Sequence, residues 1–212
     1  MLFRSGEDDE YNTGYTTEEH GVIEEGLACF DIFKEGGTGV KAKKVKTSSR
    51  LSKSEMAFKK GDNHAWGRSF ITVRAKAVDV LSYVWNYGCR SEWTADHIDR
   101  NILEESNDHN KVVCTSKSMP ARLRNREYVG GMLWKRLSEG SYVFITKPAE
   151  HDGRKRTDEF VRGSYPTCTQ LTQLNEKETR IDWVCHPSAG GSIPSWVVNT
   201  LMGEQLETTT KI

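Results

Sequence analysis

Apolar residues recur at helical spacing in three stretches of the chain and alternate at strand spacing through most of the rest. The first helical stretch is 18–34, where Val22, Ile23, Leu27, Phe30 and Phe33 fall on one side. Thr16 with Glu19 three residues on has the spacing of a capping box, and Gly36-Gly37 ends the run. Gly21 and Gly26 lie inside it and weaken it. Strand-like runs follow at 40–46, 55–59 and 66–75, the last two separated by the turn signal Gly61-Asp62-Asn63. A second helix is predicted over 76–87, with Val78, Leu81, Val84 and Trp85 along one side and Gly88 as its stop. Strand patterning then holds at 98–105, 111–117, 126–137, 141–147, 159–169 (continuing to 174) and 179–185. Residues 107–110, 138–140 and 175–177 read as hairpin turns between them. The last helix follows Gly190-Gly191-Ser192-Ile193-Pro194, with Pro194 near its first turn, where a missing N–H costs little. Val197, Val198, Leu201, Met202 and Leu206 share one apolar arc, and Trp196 falls with Asn199, Thr200, Gly203 and Glu204 on the polar side. Strands joined by short turns predict an antiparallel sheet, so the class is α+β, a curved sheet wrapped around a terminal helix.

Composition narrows what such a fold does. The 212 residues suffice for one domain with a substantial core. Thirty basic and thirty acidic residues cancel, which removes the global electrostatic case for a nucleic-acid partner. Five scattered cysteines with no CxxC pair read as buried thiols rather than a disulfide or zinc framework. No window approaches the roughly 20 apolar residues of a membrane span, and no hydrophobic signal core opens the chain, so a cytoplasmic location is expected, with peripheral contact to membranes. Motifs for nucleophilic, phosphate-loop, dinucleotide or zinc-protease chemistry are absent. Cys185-His186 reads as a strand end and Asp96-His97 as a helix end. The expectation is no catalytic residue and no metal. Lys41, Lys43, Lys44 and Lys46 read as a solvated, guarded sheet edge. Arg154, Lys155 and Arg156, with Trp196, are the candidates for contact with anionic lipid head groups. The six tryptophans are expected as core or pocket-wall anchors.

From residue 66 to 206, and more weakly from Thr16, the chain resembles the START domain family, the steroidogenic acute regulatory protein-related lipid-transfer fold. The resemblance is carried by Arg124-Asn125-Arg126-Glu127-Tyr128-Val129, by Tyr165-Pro166-Thr167-Cys168, and by Ile181-Asp182-Trp183-Val184 leading through Gly191-Ser192-Ile193-Pro194 into Val197-Val198-Asn199. It implies a helix-grip fold over residues 16–212, while the polar, acidic residues 1–15 read by composition as a flexible tail. It further implies an internal tunnel for one phospholipid, sterol or other lipid, gated by the C-terminal helix, with no cofactor beyond the bound lipid. The acid and arginine that face each other in sterol-binding members fall on Ser116 and Met132, and the acidic position before the last glycine falls on Ser188. After Leu206 the chain has only six residues, so the lid is expected to be short or completed by a protein partner. Strand alternation, with Val112, Cys114 and Ser116 taken as inward, puts Tyr128, Met132 and Trp134 on the same side. Val197, Val198 and Leu201 complete the expected lipid-binding set. The alternative is an interaction module that keeps the fold with a filled tunnel.

Overall fold

The computed structural model describes residues 14–34, 42–87, 97–119 and 123–211. The expectations for residues 1–13, Gly36-Gly37, Val40, Lys41, Gly88, Cys89, Trp93 and Asp96 fall on residues outside these ranges. Helix α1, Thr17–Ala28, continues as a 3-10 turn, Cys29–Phe33. Strands β1 Lys43–Lys44, β2 Lys53–Ala57 and β3 Trp66–Val73 precede α2, Ala77–Trp85. Strands β4 His97–Asn107, β5 Asn110–Lys117, β6 Asn125–Ser138 and β7 Ser141–Pro148 follow. Then come β8 Phe160–Arg162, β9 Thr167–Asn175 and β10 Glu178–Cys185. The chain closes with α3 Ser195–Thr200, α4 Met202–Leu206 and a 3-10 turn, Glu207–Lys211.

The strands form one sheet in the order β1-β2-β3-β10-β9-β7-β6-β5-β4, with every neighbouring pair antiparallel. The α+β helix-grip class expected from the sequence is therefore what the chain adopts. One predicted strand divides in two. The run 159–174 becomes β8, which pairs parallel with the start of β6, and β9, which pairs with β7 and β10. Pro166 sits between them without an N–H to continue a ladder. β7 leaves β6 at Pro148, opposite Gly130, and β8 takes up the edge that β6 exposes beyond that point.

The two faces of the sheet carry different helices. On the inner face, α2 packs Val80, Leu81 and Val84 against Ile71, Val113, Met132, Phe144, Leu171 and Ile181. On the same face α4 packs Met202 and Leu206 against Trp183 and Cys185, beside Ala65. On the outer face, α1 packs Val22 and Ile23 against Leu133, Val143, Ile145 and Cys168. Both faces are thus covered across the middle of the sheet. No helix of the described residues is long and apolar enough to cross a membrane.

α1 is held in register by its own cap. Thr16 Oγ1 accepts from the Glu19 N–H at 3.2 Å, and Glu19 Oε2 accepts from the Thr16 N–H at 2.8 Å. Glu19 is only 6% exposed, because it also reaches the β4–β5 hairpin: Asn110 Nδ2 donates to its Oε1 at 2.6 Å and His109 Nε2 lies 3.5 Å away. Burial pushes this carboxyl up, but the Thr16 N–H, the Asn110 amide, the Thr16 hydroxyl and His109 outweigh it and hold it at about 2. A carboxyl depressed by folding contributes stability above its ordinary value of 4.5 and loses it as pH falls toward 2. Glu19→Gln should cost on the order of 1–3 kcal/mol in urea denaturation at pH 7, and the gap from wild type should shrink as the pH is taken down to 3.

Candidate ligand-binding face

The inner face is built from alternate residues of the sheet, and the observed register decides which. Lys111 pairs with Met132, Val113 with Gly130, and Thr115 with Tyr128. Lys111, Val113 and Thr115 therefore share the inner face with Tyr128, Met132 and Trp134. Val112, Cys114 and Ser116 pair with Gly131, Val129 and Glu127 and lie on the outer face. The expectation that those three would line one pocket with Tyr128, Met132 and Trp134 was one residue out of register, which exchanges the faces of a whole strand. Sequence pattern could not expose the error, because Cys114 and Ser116 are buried on their own side too. Ser116 and Met132 accordingly do not face each other.

Polar groups other than the expected Ser116 gather at the β4–β5 end of the inner face. The Lys111 ammonium lies 3.9 Å over the Trp85 ring and 3.8 Å from Glu105, and burial holds it below the ordinary lysine range. The Arg100 guanidinium lies 4.1 Å over the Tyr87 ring, and the Tyr87 hydroxyl bonds to the hydroxyl of Thr115. Toward the other end runs an aromatic row. Tyr128 and Tyr165 meet edge-on with centroids 6.2 Å apart, and Tyr165 lies 6.3 Å from Trp183. The Tyr165 hydroxyl donates to Gln205 Oε1 of α4 at 2.9 Å, so the row ends on the closing segment.

That closing segment does not bury the arc drawn on a continuous helix. The helix breaks at Leu201, whose φ of −84° and ψ of 4° separate α3 from α4. Val198, Met202, Leu206 and Thr209 form the buried stripe, while Val197 is half-buried. Leu201 is 43% exposed, a correction to its place among the pocket residues; the break turns it outward and gives the inner position to Met202, which is 1% exposed. Close approach depends on Gly67 of β3, where a Cβ would stand 2.4 Å from Met202 Sδ. Beyond α4 a chain of buried hydroxyls continues the contact: Thr209 bonds Ser69 at 2.8 Å and Ser54 donates to Ser69 at 3.1 Å. Trp196 is 67% exposed, on the polar side where the wheel puts it.

The loop that leads into the closing segment is fixed by backbone. Ser164 and Ser188 exchange N–H···O bonds of 2.8 Å in both directions, so the serine at the family's acidic position is held by a bridge. Arg126, only 3% exposed, donates Nε to the Ala189 carbonyl at 3.1 Å and Nη1 to the Arg124 carbonyl. Gly190 has φ +65°, and a Cβ there would stand 2.3 Å from the Arg162 carbonyl oxygen. No other residue fits that position without moving the loop.

The basic triplet divides. Arg154 turns in over the outer face, pairing with Asp99 and lying 3.5 Å from Glu127, whose other oxygen accepts from Arg162 at 2.8 Å. Beneath this network burial, with Glu127 nearby, pushes the Cys114 thiol up to about 11. Arg154 thus neutralises internal carboxylates, a correction to its reading as a lipid contact. Lys155 and Arg156 remain exposed, 3.7 Å from Asp152 and 2.6 Å from Glu150. They line an open cleft of about 610 Å³ with Glu104, Glu150, His151 and Asp152. Its charges offset one another and it lies away from the inner face, so it offers little to an apolar ligand.

A curved antiparallel sheet that grips a C-terminal helical segment defines the helix-grip fold class. A sequence profile of the START domain matches residues 48–211, and the chain belongs to that family. Solved structures agree on the fold. Human STARD10 superposes with a TM-score of 0.75 at 15% identity, over 95% of this chain and 79% of that one. Human StAR-related lipid transfer protein 5 gives 0.74 at 19% identity, covering 89% of each chain. A STAR-related lipid transfer protein fragment from Xanthomonas axonopodis gives 0.70 at 20%, over 80% and 94%. No curated protein sequence matches the chain.

The break at Leu201 has a direct test. Met202→Ala should destabilise the protein by roughly 2–5 kcal/mol, whereas Leu201→Ala should stay within about 0.5 kcal/mol of wild type. Equal costs in chemical denaturation would mean that the helix runs on unbroken.

Proposed function

We propose that this START domain binds one lipid non-covalently against its inner face, beneath the closing helical segment, and exchanges it at a membrane surface. The carrying observation is the closing segment itself. A buried stripe of Val198, Met202 and Leu206 seats on the sheet through side chains, while among the described residues its backbone-to-backbone ties are at its leading loop. A segment held this way can lift without breaking a strand. The solved relatives named as lipid transfer proteins support the same reading. Each methylene of an acyl chain moved from water to the inner face contributes about 0.8 kcal/mol, enough for firm binding with few polar contacts.

Within this reading the inner-face set is Val113, Thr115, Tyr128, Met132 and Trp134 from the sheet, with Val197, Val198 and Met202 from the lid. The ring-covered cations Lys111 and Arg100 stand at the β4–β5 end, where a lipid's polar head has partners. Exposed Trp196 and Leu201, with Lys155 and Arg156, are the groups offered to the membrane, and the protein acts as a cytoplasmic carrier rather than a catalyst. Native mass spectrometry of protein purified from cells should show a co-purifying lipid at one per chain, released into acceptor vesicles. Protein that carries no lipid and extracts none from vesicles would refute the proposal.

A second reading, an interaction module with a filled interior, is favoured by the packing of both ends of the inner face. Met132, Leu171, Ile181, Met202 and Leu206 are all fully buried by the protein's own side chains. It requires a protein complex that survives delipidation.

A further inference from the structure

Cations and anions balance over the whole chain, but segment 42–54 departs from that balance. It holds Lys43, Lys44, Lys46, Arg50 and Lys53 and no acid. All five are exposed, and among the described residues none of them pairs with a carboxylate. Lys53 lies 5.9 Å over the Phe70 ring, a contact that leaves its charge uncompensated. The segment is a hairpin at the edge of the sheet. Lys43 and Lys44 of β1 pair with Met56 and Glu55 of β2, and the Val45 N–H donates to the Ser54 carbonyl at 2.9 Å. The loop between them is shaped by its own hydroxyls: Thr47 Oγ1 donates to the Ser49 carbonyl at 3.1 Å, and Ser49 Oγ accepts from the Leu51 N–H at 3.1 Å. Arg50 and Leu51 are thereby turned to solvent. Leu51 is 76% exposed, more than any other large apolar side chain of the described residues.

The underside of the hairpin rests on the closing segment. Val45 and Met56 pack with Met202 and Leu206, and a Cβ at Gly203 would stand 3.0 Å from the Lys46 carbonyl oxygen. The Ser48 N–H donates to Glu207 Oε1 at 2.5 Å, and Glu55 is taken by Arg68 at 3.2 Å. Both of these acids are thus engaged, while the cations of the hairpin stay open to a partner.

We propose that the β1–β2 hairpin is a membrane anchor, in which Lys43, Lys44, Lys46, Arg50 and Lys53 meet the head groups of an anionic bilayer and Leu51 enters its interface. It rests on the reading that the domain exchanges lipid at a membrane, and it names the surface that makes the contact.

Lysines alone would serve to guard a short edge strand from pairing. That purpose calls neither for Arg50 beyond β1 nor for an exposed leucine beside it. A bilayer accounts for both, because cations stay with the head groups while an apolar side chain between them reaches the acyl boundary. Segment 42–54 carries no aromatic ring on which a base could stack, which disfavours a single-stranded nucleic acid. Lys155 and Arg156 are poorer candidates for the main attraction, since Asp152 and Glu150 stand 3.7 and 2.6 Å from them. Because the hairpin packs on Met202, Leu206 and Gly203, an anchor there brings the closing segment to the membrane with it.

Co-sedimentation with vesicles of phosphatidylcholine containing phosphatidylserine, and with vesicles of phosphatidylcholine alone, tests the assignment. The wild-type protein should bind the anionic vesicles far more tightly, and the difference should shrink as salt is raised. Lys44→Gln/Lys46→Gln/Arg50→Gln should weaken binding on the order of a hundredfold, at about fivefold per cation. Leu51→Ser should weaken it by about tenfold, through lost apolar contact. Lys155→Gln/Arg156→Gln should change it by about threefold or less. The substituted side chains are exposed, so urea midpoints should stay at the wild-type value. Equal binding to the two kinds of vesicle, a triple variant no weaker than Lys155→Gln/Arg156→Gln, or a Leu51→Ser variant that binds as wild type would each overturn the anchor. So would binding to single-stranded RNA or poly-glutamate as tight as to the anionic vesicles. A protein that carries lipid, and whose triple variant still binds vesicles fully, refutes the anchor and leaves the carrier reading standing. Hairpin-dependent vesicle binding by a protein that neither carries nor extracts lipid refutes the carrier reading and leaves the anchor standing.

Discussion

The pairing of β3 with β10 is the constraint on which the rest of this molecule depends. It runs from Gly67↔Cys185 to Val73↔Thr179 and joins segments more than a hundred residues apart in sequence. On the outer side Arg68 Nε and Nη2 grip the two Asp182 oxygens at 2.9 and 2.6 Å across this seam. Without it the sheet would be two pieces, β1–β3 and β4–β10. With it, the odd-numbered residues of β3 and β10 form one floor, onto which Met202, Leu206 and Thr209 settle. So non-local a closure must form against a large loop entropy, and the ion pair with its flanking apolar rows is what offsets that cost.

Packing on both faces explains why the two helical layers have different characters. α1 is fixed on the outer face by a cap that doubles as a tertiary contact, since one buried carboxylate serves both the helix N-terminus and the β4–β5 hairpin. The closing segment is attached by side chains over most of its length: the Met202 and Leu206 stripe, Tyr165 to Gln205, Thr209 to Ser69, and Asn199 to the β2–β3 turn. Among the described residues, its backbone-to-backbone ties lie at its root. Elements held by few backbone bonds open at lower free energy than those built into a ladder.

Charge follows the same division. Arg154, Arg162, Glu127 and Asp99 form a closed network on the outer face, where each cation meets a carboxylate. On the inner face, Lys111 and Arg100 are covered by aromatic rings. Lys111 also lies 3.8 Å from Glu105, so what sets the inner face apart is that rings cover its cations and shield them from water.

Much of the architecture was legible in the sequence because it is written locally. The Thr16–Glu19 cap, the 3.6-residue period of α1 and α2, the turns at 107–110, 138–140 and 175–177, and Pro194 before α3 each follow from neighbouring residues. The family resemblance then ordered these elements into a helix grip. What the sequence left undecided was register and side. β5 alternates Lys111, Val113 and Thr115 against Val112, Cys114 and Ser116, and since both faces of the sheet are covered, hydrophobicity did not say which set looks inward. The division of 159–174 into β8 and β9 depended on an edge of β6 that exists only once β7 has left it. The break at Leu201 and the bonds from Asn199 to the β2–β3 turn likewise arise from contacts between segments more than a hundred residues apart. Local periodicity specifies elements; only the closed sheet, by fixing which residues meet across it, selected the residues of the site.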